Sequence, residues 1–593
     1  MNKIMERIKM RSEKDTWYFL AFFFILAFSY FYWFGGYILF FQEQQSLLVF
    51  STSFIQDFLL KPGGLLDLSG RFITQFYISN IAGSFLLAAV LTLPVIIIIH
   101  INRRLITDTI LSPLFMLIPS CLLMLMQSHY YHMMTYNLGF VMVMVYFLFS
   151  IYSERKLILY STLALYPFFY YLAGAYALIF LCLNIIYVLS FKKGLQKIFL
   201  SFILLGEAFI TIIVCKEILF LQPMGKLVNF PLPFIDDQLH KILFYTLTGY
   251  VIFYPLICLA AGKVRLKKLD VWPIALVMVL IILSSTTFML AKRYNTQTAR
   301  VINLEKLVFE EKWKEAIAYQ QKYPSENRIG QYFYNIALSE SDQLCDRLFY
   351  GRQDFGTGSL MLEWSSEHLN WGAYSFYSIG LTNEAHRWAY EEMVVYGLRP
   401  QNIKLLAKTS LINGNYRIAK KYIDILKHTV FYRNWADEYE KLVGDSAAIR
   451  LNPELEKKVM ILPRDNFFVF LESPESNLPL LVDANRRNRE AFEYLMSWLL
   501  LEKNVELVVN NIKMMKEMGY NRIPKHIEEA VMIYFNSQRI MPDLGGLTIS
   551  NETRTRFDQY FATYVAARQN PSTFKEKMQK GFGNTFWYYF HFK

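Results

Sequence analysis

Near Lys292-Arg293 the chain changes character. Before that point it is a succession of long apolar runs separated by short breaks with basic flanks. After it, apolar residues recur at helical spacing among charged ones. The first pattern offers too little polar surface to stand in water, and the second too much to stand in lipid. The pattern therefore predicts an all-α protein in two parts: a polytopic transmembrane helix bundle, then a soluble array of helical hairpins. The boundaries expected are an N-terminal arm over 1–16, a transmembrane domain over 17–292 with an outer interfacial loop over 42–77, and a helical repeat domain over 293–593.

A helix needs about 20 apolar residues to cross the hydrocarbon core. The runs that qualify are 17–41, 78–101, 106–126, 133–152, 157–168, 172–191, 198–215, 242–261 and 271–291. The fifth is short and shares an apolar stretch with the sixth, with Pro167 and Gly174 marking a break between them. Read as a hairpin, the two bring the total to about nine spans; read as one long span, to about eight. The first run is long and lacks a small-residue cleavage site, so it reads as a permanent anchor with aromatic ends.

Charge orients the spans. Lys3, Arg7, Lys9, Arg11 and Lys14 precede the first run, and Arg103-Arg104, Arg155-Lys156, Lys192-Lys193-Lys197 and Lys263-Arg265-Lys267-Lys268 fall in breaks on the same side. The opposite breaks carry only Lys61, Arg71, Lys216, Lys226 and Lys241. Basic residues are retained on the cytoplasmic side, so the N-terminal arm is expected in the cytoplasm and, with an odd number of spans, the repeat domain outside it. The formal charge of +12 is thus consumed in orientation, and nucleic acid is not an expected partner. Four of the five cysteines lie in apolar runs and Cys345 is alone in the polar half, which excludes a disulfide there and supplies no metal-ligand spacing. No metal site and no cofactor is expected; a divalent cation is not indicated.

Three outer segments hold most polar groups of the first half. In 42–77, residues 46–60 have helical apolar spacing with Gln56 and Asp57 among them, as in a helix lying in the interface plane. After Pro62-Gly63-Gly64, the residues Asp67, Arg71 and Gln75 follow at intervals of four, on one helical face. The second segment carries His129, His132 and Asn137; the third ends in Asp236, Asp237 and His240. These groups either converge on a cavity or anchor helix ends at the interface. A charged stripe entering an apolar run is costly unless paired or used, which singles out Asp67, Arg71 and Gln75. Glu207, inside an apolar run, is either a functional carboxylate or a packing group.

In the polar half, Gly380, Ala385 and Trp388 are repeated as Gly414, Ala419 and Tyr422, 34 residues on. The glycine suits a turn between antiparallel helices, the alanine lets them approach, and the aromatic fills the groove. Weaker copies are Trp313–Ala316–Tyr319 and Lys503-Asn504-Val505 with Val508 in place of the alanine. This is the spacing of tetratricopeptide repeats, whose stacked solenoids take a protein or peptide on the concave face. The aromatic tail, 582–593, reads as a cap on the array or a membrane contact.

The segment from Lys61-Pro62-Gly63-Gly64 through Asp67, Arg71 and Gln75 to Tyr77, together with Gln331–Glu340, resembles a family of uncharacterised multi-spanning proteins of Bacteroidota. That resemblance implies a Gram-negative inner membrane and a periplasmic second half. A looser, topological similarity is to the C-type glycosyltransferase superfamily, which has many spans, a first outer loop with an acidic residue, and a soluble domain after the last span. It implies a polyprenyl-phosphate-linked sugar as donor, Asp57 or Asp67 as the catalytic carboxylate, and Arg71, Gln75, His129, His132, Asp236 and Asp237 as substrate-binding candidates. The first loop here is short and has no paired acidic motif; the one Asp-Asp, Asp236-Asp237, lies in a later loop. The alternative expectation is a non-enzymatic membrane-anchored scaffold whose repeats recruit a periplasmic protein. A transporter is disfavoured by the few charges inside spans and the lack of a visible inverted repeat.

Overall fold

The computed structural model describes residues 2–105, 112–152, 162, 164–262, 271–568 and 571–593. Among them there are helices and no strand. The basic breaks at Arg155-Lys156 and 263–268, half of the 157–168 run and the start of the 106–126 run lie outside the described residues, as do the arm's side chains. The chain divides into two compact units, Met1–Tyr294 with His428–Phe431, and Asn295–Lys427 with Tyr432–Lys593.

In the first unit, five helices among the described residues are long and apolar enough to cross a membrane: Asn80–Leu105, Met134–Ile151, Gln196–Leu219, Gln238–Gly262 and Leu276–Arg293. The pair Trp17–Trp33 and Gly36–Gln44, bent by 74°, makes a sixth when taken as one span. The expected straight run over 17–41 is therefore two helices. The physical cause is the Gly35-Gly36 pair, since a Cβ at Gly35 would lie 2.7 Å from the Phe31 ring and 2.9 Å from its Cα. The 106–126 and 172–191 runs give the shorter apolar helices Phe115–Gln127 and Tyr176–Phe191. Pro167 opens a short helix, Tyr166–Ala173, and Gly174 ends it with φ +60. The expected break is thus at Gly174.

The outer loop holds two amphipathic helices. Ser51, extended at φ −123 and ψ 149, caps Thr52–Leu59 by accepting from Phe54 N at 3.3 Å. The expected helix over 46–60 is shorter at its start, because residues 46–50 are not helical. Gly64–Thr74 follows, with Asp67 in its first turn, where the helix dipole favours a carboxylate. Gly70 is buried on this helix, and a Cβ there would lie 2.2 Å from Thr135 Oγ1. Only glycine permits that approach.

The second unit is built on one local device. Glu311, Asp342, Gly380, Gly414 and Lys503 all have left-handed φ, from +54 to +81, two residues before a helix starts. In each case the next residue donates its N–H to the carbonyl five back: Lys312 to Leu307, Gln343 to Leu338, Leu381 to Phe376, Asn415 to Ser410 and Asn504 to Leu499, all at 2.8–2.9 Å. That is the Schellman closure of one helix, and it turns the chain directly into the next. A non-glycine residue held this way costs about 1 kcal/mol or more. Here the side chains of the three non-glycine residues have partners: Glu311 on Lys408, Asp342 on Lys457 at 3.1 Å, and the Lys503 ammonium 5.6 Å from the Tyr589 ring centre. Five residues after four of these turns stand Ala316, Ala385, Ala419 and Val508, all with no exposed surface. Trp388 and Tyr422 are buried beside them.

The aromatic tail belongs to this unit's core. It forms Phe586–Phe592, with Phe586 and Trp587 fully buried. Glu529 anchors it, accepting from Phe586 N at 2.6 Å through its carboxylate and from Trp587 Nε1 at 2.7 Å through its backbone carbonyl.

Candidate functional site

Two clusters in the first unit draw together residues from separate helix ends. The first is basic and aromatic. Asp67 Oδ2 accepts from Arg71 Nε at 3.4 Å, one helical turn on, and Asp67 Oδ1 accepts from Thr135 Oγ1 at 3.2 Å. The Arg71 guanidinium stands 5.5 Å from the centre of the Phe58 ring; the Lys61 ammonium is 4.9 Å from the same ring and 4.5 Å from that of Phe230. Burial draws the Lys61 pKa down, Asp67 opposes this, Arg71 adds to it, Asp57 opposes it and Lys226 adds to it. Three cations, two carboxylates and two phenyl rings thus share one electrostatic neighbourhood. A half-exposed i, i+4 ion pair contributes only about 0.3–0.5 kcal/mol to stability. What the cluster offers is a cationic surface whose guanidinium and ammonium groups are already positioned, suited to a phosphate.

The second cluster is a buried hydrogen-bonded ring. His132 Nε2 lies 3.1 Å from Asn137 Oδ1, an acceptor, so Nε2 carries the proton. His132 Nδ1, 3.0 Å from His240 Nε2, is then the acceptor of the His240 proton. The chain runs on in one sense: Asn137 Nδ2 donates to Gln127 Oε1 at 2.6 Å, Gln127 Nε2 to Gln42 Oε1 at 3.0 Å, and Gln42 Nε2 back to the His132 carbonyl at 2.8 Å. Gln42, Gln127, His132 and Asn137 are fully buried. Burial holds the His132 pKa well below its usual value, and the neighbouring His240 pushes the same way. Neutral His132 is also what the hydrogen-bond polarity requires.

At the rim of this ring, Asp237 accepts from His240 N at 2.8 Å and pairs with Arg293 at 3.5 Å. His129 stacks on Tyr130 at 5.1 Å and sets its edge toward His240 at 5.3 Å. His129 Nδ1 and Arg293 Nη1 are buried without a hydrogen-bond partner among the described residues. Burial lowers the His129 pKa, with Arg293 in the same direction and Asp237 against it.

Adjacent residues join the clusters. Thr135 reaches Asp67, and the Tyr136 ring meets His132 edge-on at 5.3 Å. Gln75, buried at the cap just after the Asp67 helix, donates to the carbonyls of Ser46 and, at 3.2 Å, Arg71. Of the sequence candidates, then, Asp67 and Arg71 share one helix against Thr135 with Gln75 just past its end, while His129, His132 and Asp237 meet around His240. Asp57 is exposed on Thr52–Leu59, and Asp236 is exposed beside Asp237. Glu207 is half-buried, with Oε2 unpartnered among the described residues.

Sequence reasoning missed Lys61, Lys226 and Arg293 as site residues, having used them only as orienting or boundary charges. It also missed Gln42 as a ring member, since nothing in local spacing connects it to Gln127. Among the described residues no three His, Cys, Asp or Glu side chains come together as a metal ion would need. No curated protein and no solved structure matches the chain. A family profile described as a family of unknown function, DUF6057, matches residues 14–593, nearly the whole chain, and the chain belongs to that family.

Proposed function

We propose that this is an inner-membrane protein of envelope biogenesis in a Gram-negative bacterium, of C-type-like glycosyltransferase chemistry, acting on a polyprenyl-phosphate-linked sugar at the periplasmic face. The supporting observation is the grouping of Asp67 with Arg71, Thr135 and Lys61 at the end of a bundle of apolar helices. In this reading Asp67 takes the proton of an acceptor hydroxyl whose oxygen attacks the anomeric carbon. The bond from that carbon to the phosphate oxygen breaks, and its electron pair leaves with the polyprenyl phosphate. Arg71 and Lys61 neutralise the charge released. Asp57, exposed but within the field of Lys61, is the weaker carboxylate candidate. The second unit, on the periplasmic side in this reading, presents the acceptor. The test is Asp67→Asn and Asp57→Asn at unchanged expression, with the cell's periplasmic glycans profiled. Loss of a glycan species in Asp67→Asn supports the reading; unaltered glycans in both variants and in a deletion strain dispose of it.

The alternative is a membrane-anchored scaffold whose helical repeats recruit a periplasmic protein. The observation favouring it is the run of helix–turn–helix units from Glu311 to Lys503, an architecture suited to binding protein or peptide. It predicts that truncation after Tyr294 abolishes function while Asp67→Asn has no effect.

A further inference from the structure

The second unit contains a cleft of about 530 Å³, in the size range of small-molecule sites. One wall is an aromatic stripe on Asn551–Ala567, where Phe557, Tyr560, Phe561 and Tyr564 recur at helical spacing and so share a face. Phe557 and Tyr560 are buried, as in any core stripe. Phe561 is 46 % exposed and Tyr564 half-buried, so the stripe continues out of the core and into the cleft. The facing wall is the C-terminal turn of Lys525–Gln538, which presents Asn536, Ser537 and Gln538. The carboxamides of Asn536 and Gln538 have no side-chain partner among the described residues. Lys503 and Glu506 stand at the edge with opposite charges.

This lining selects a ligand class. A phosphate or nucleotide needs several cations or a helix N-terminus, and here the one lysine is offset by a glutamate. An acyl chain would strand the amides against hydrocarbon at a cost of about 1–3 kcal/mol each. A ligand with flat C–H faces and a rim of hydroxyls suits both walls: its faces lie on the rings, and its hydroxyls give and take hydrogen bonds at the carboxamides. We propose that this cleft binds a short, uncharged oligosaccharide. The site is separate from the Asp67 cluster, and the inference stands whether or not the first unit transfers sugar.

The test uses the full chain in a detergent without a sugar headgroup, applied to an array of neutral hexose and N-acetylhexosamine oligosaccharides. The oligosaccharide retained best is then titrated calorimetrically against wild type, Phe561→Ala and the double variant Asn536→Ala/Gln538→Ala. Phe561 is 46 % exposed, so its removal is expected to leave the chain folded with a modestly lowered melting temperature while weakening binding about tenfold or more. The double variant is expected to weaken binding comparably. Silence of wild type across the array overturns the proposal. So does binding that both variants retain in full, or retention of peptides from a random library with no oligosaccharide bound.

Discussion

His132 Nδ1 and His240 Nε2 lie 3.0 Å apart, and because His132 gives its own proton to Asn137, His240 must be the donor between them. A protonated His132 would bring two N–H groups face to face. A histidine held below its free pKa contributes stability that is full above the free value of about 6.5. That contribution drains as pH falls below it, because only the unfolded chain takes up the proton. Thermal unfolding of the detergent-solubilised chain should therefore shift to lower temperature between pH 7.5 and 5.5. In His132→Gln that pH-dependent part should shrink, although the variant starts lower by about 1–3 kcal/mol for the partners it strands.

Gly70 is where the Asp67 helix meets Thr135. Gly70→Ala puts a methyl group 2.2 Å from Thr135 Oγ1 and should cost about 1–3 kcal/mol. Thr135→Ala removes the hydrogen bond to Asp67 without forcing the helix away, and should cost less. Melting temperatures of the two variants, measured together, check the order.

The repeat turns give a comparison at like backbone strain but unlike packing. Gly380 and Gly414 have similar φ, +81 and +71, so alanine strains the backbone alike at both. At Gly414 the new Cβ meets open space; at Gly380 it meets Ile461, with side-chain and carbonyl atoms at 2.7 and 2.9 Å. Gly414→Ala should cost about 1 kcal/mol, and Gly380→Ala at least about 1 kcal/mol more. Urea unfolding of the two variants reads the difference.

The C-terminal helix is held by a buried pair. His526 Nε2 accepts from Phe349 N at 3.3 Å, so Nδ1 carries the proton that goes to Glu529 Oε2 at 2.8 Å, beside the N–H of Phe586. Glu529→Ala removes the acceptor of both and should loosen Phe586–Phe592. Limited proteolysis is expected to clip the last residues at least about tenfold faster than in wild type, a rate that tracks the local opening equilibrium.

What was legible in the chain was local. Asp67 and Arg71 are one helical turn apart, and their pairing follows from that spacing alone. Gly380 and Gly414 announced their turns by the 34-residue repeat, and Lys503 by Val508 standing five residues on where the alanine would be, because the elements of the pattern sit within a few residues of one another. Asp342 makes the same turn but has Arg347 where the alanine would be, so its pattern is hidden. The His132 ring was not legible. Its members come from helix ends separated by 85 residues between Gln42 and Gln127 and by 108 between His132 and His240, and no periodicity links them. Against about nine expected runs, five helices among the described residues, or six with the bent pair taken as one span, are long and apolar enough to cross a membrane. Hydropathy registers the apolar character of 17–41 but not the Gly35-Gly36 break.

In the proposed reading Lys61 and Arg71, beside Asp67, form a seat for the phosphate of a polyprenyl lipid. Its most direct measurement is retention of a polyprenyl phosphate by the detergent-solubilised chain, read by native mass spectrometry for wild type and for Lys61→Gln/Arg71→Gln. The account predicts a bound lipid in wild type and about tenfold or greater loss in the double variant, as expected when charge-assisted hydrogen bonds are removed. Equal retention by both proteins, or none by wild type, would contradict it.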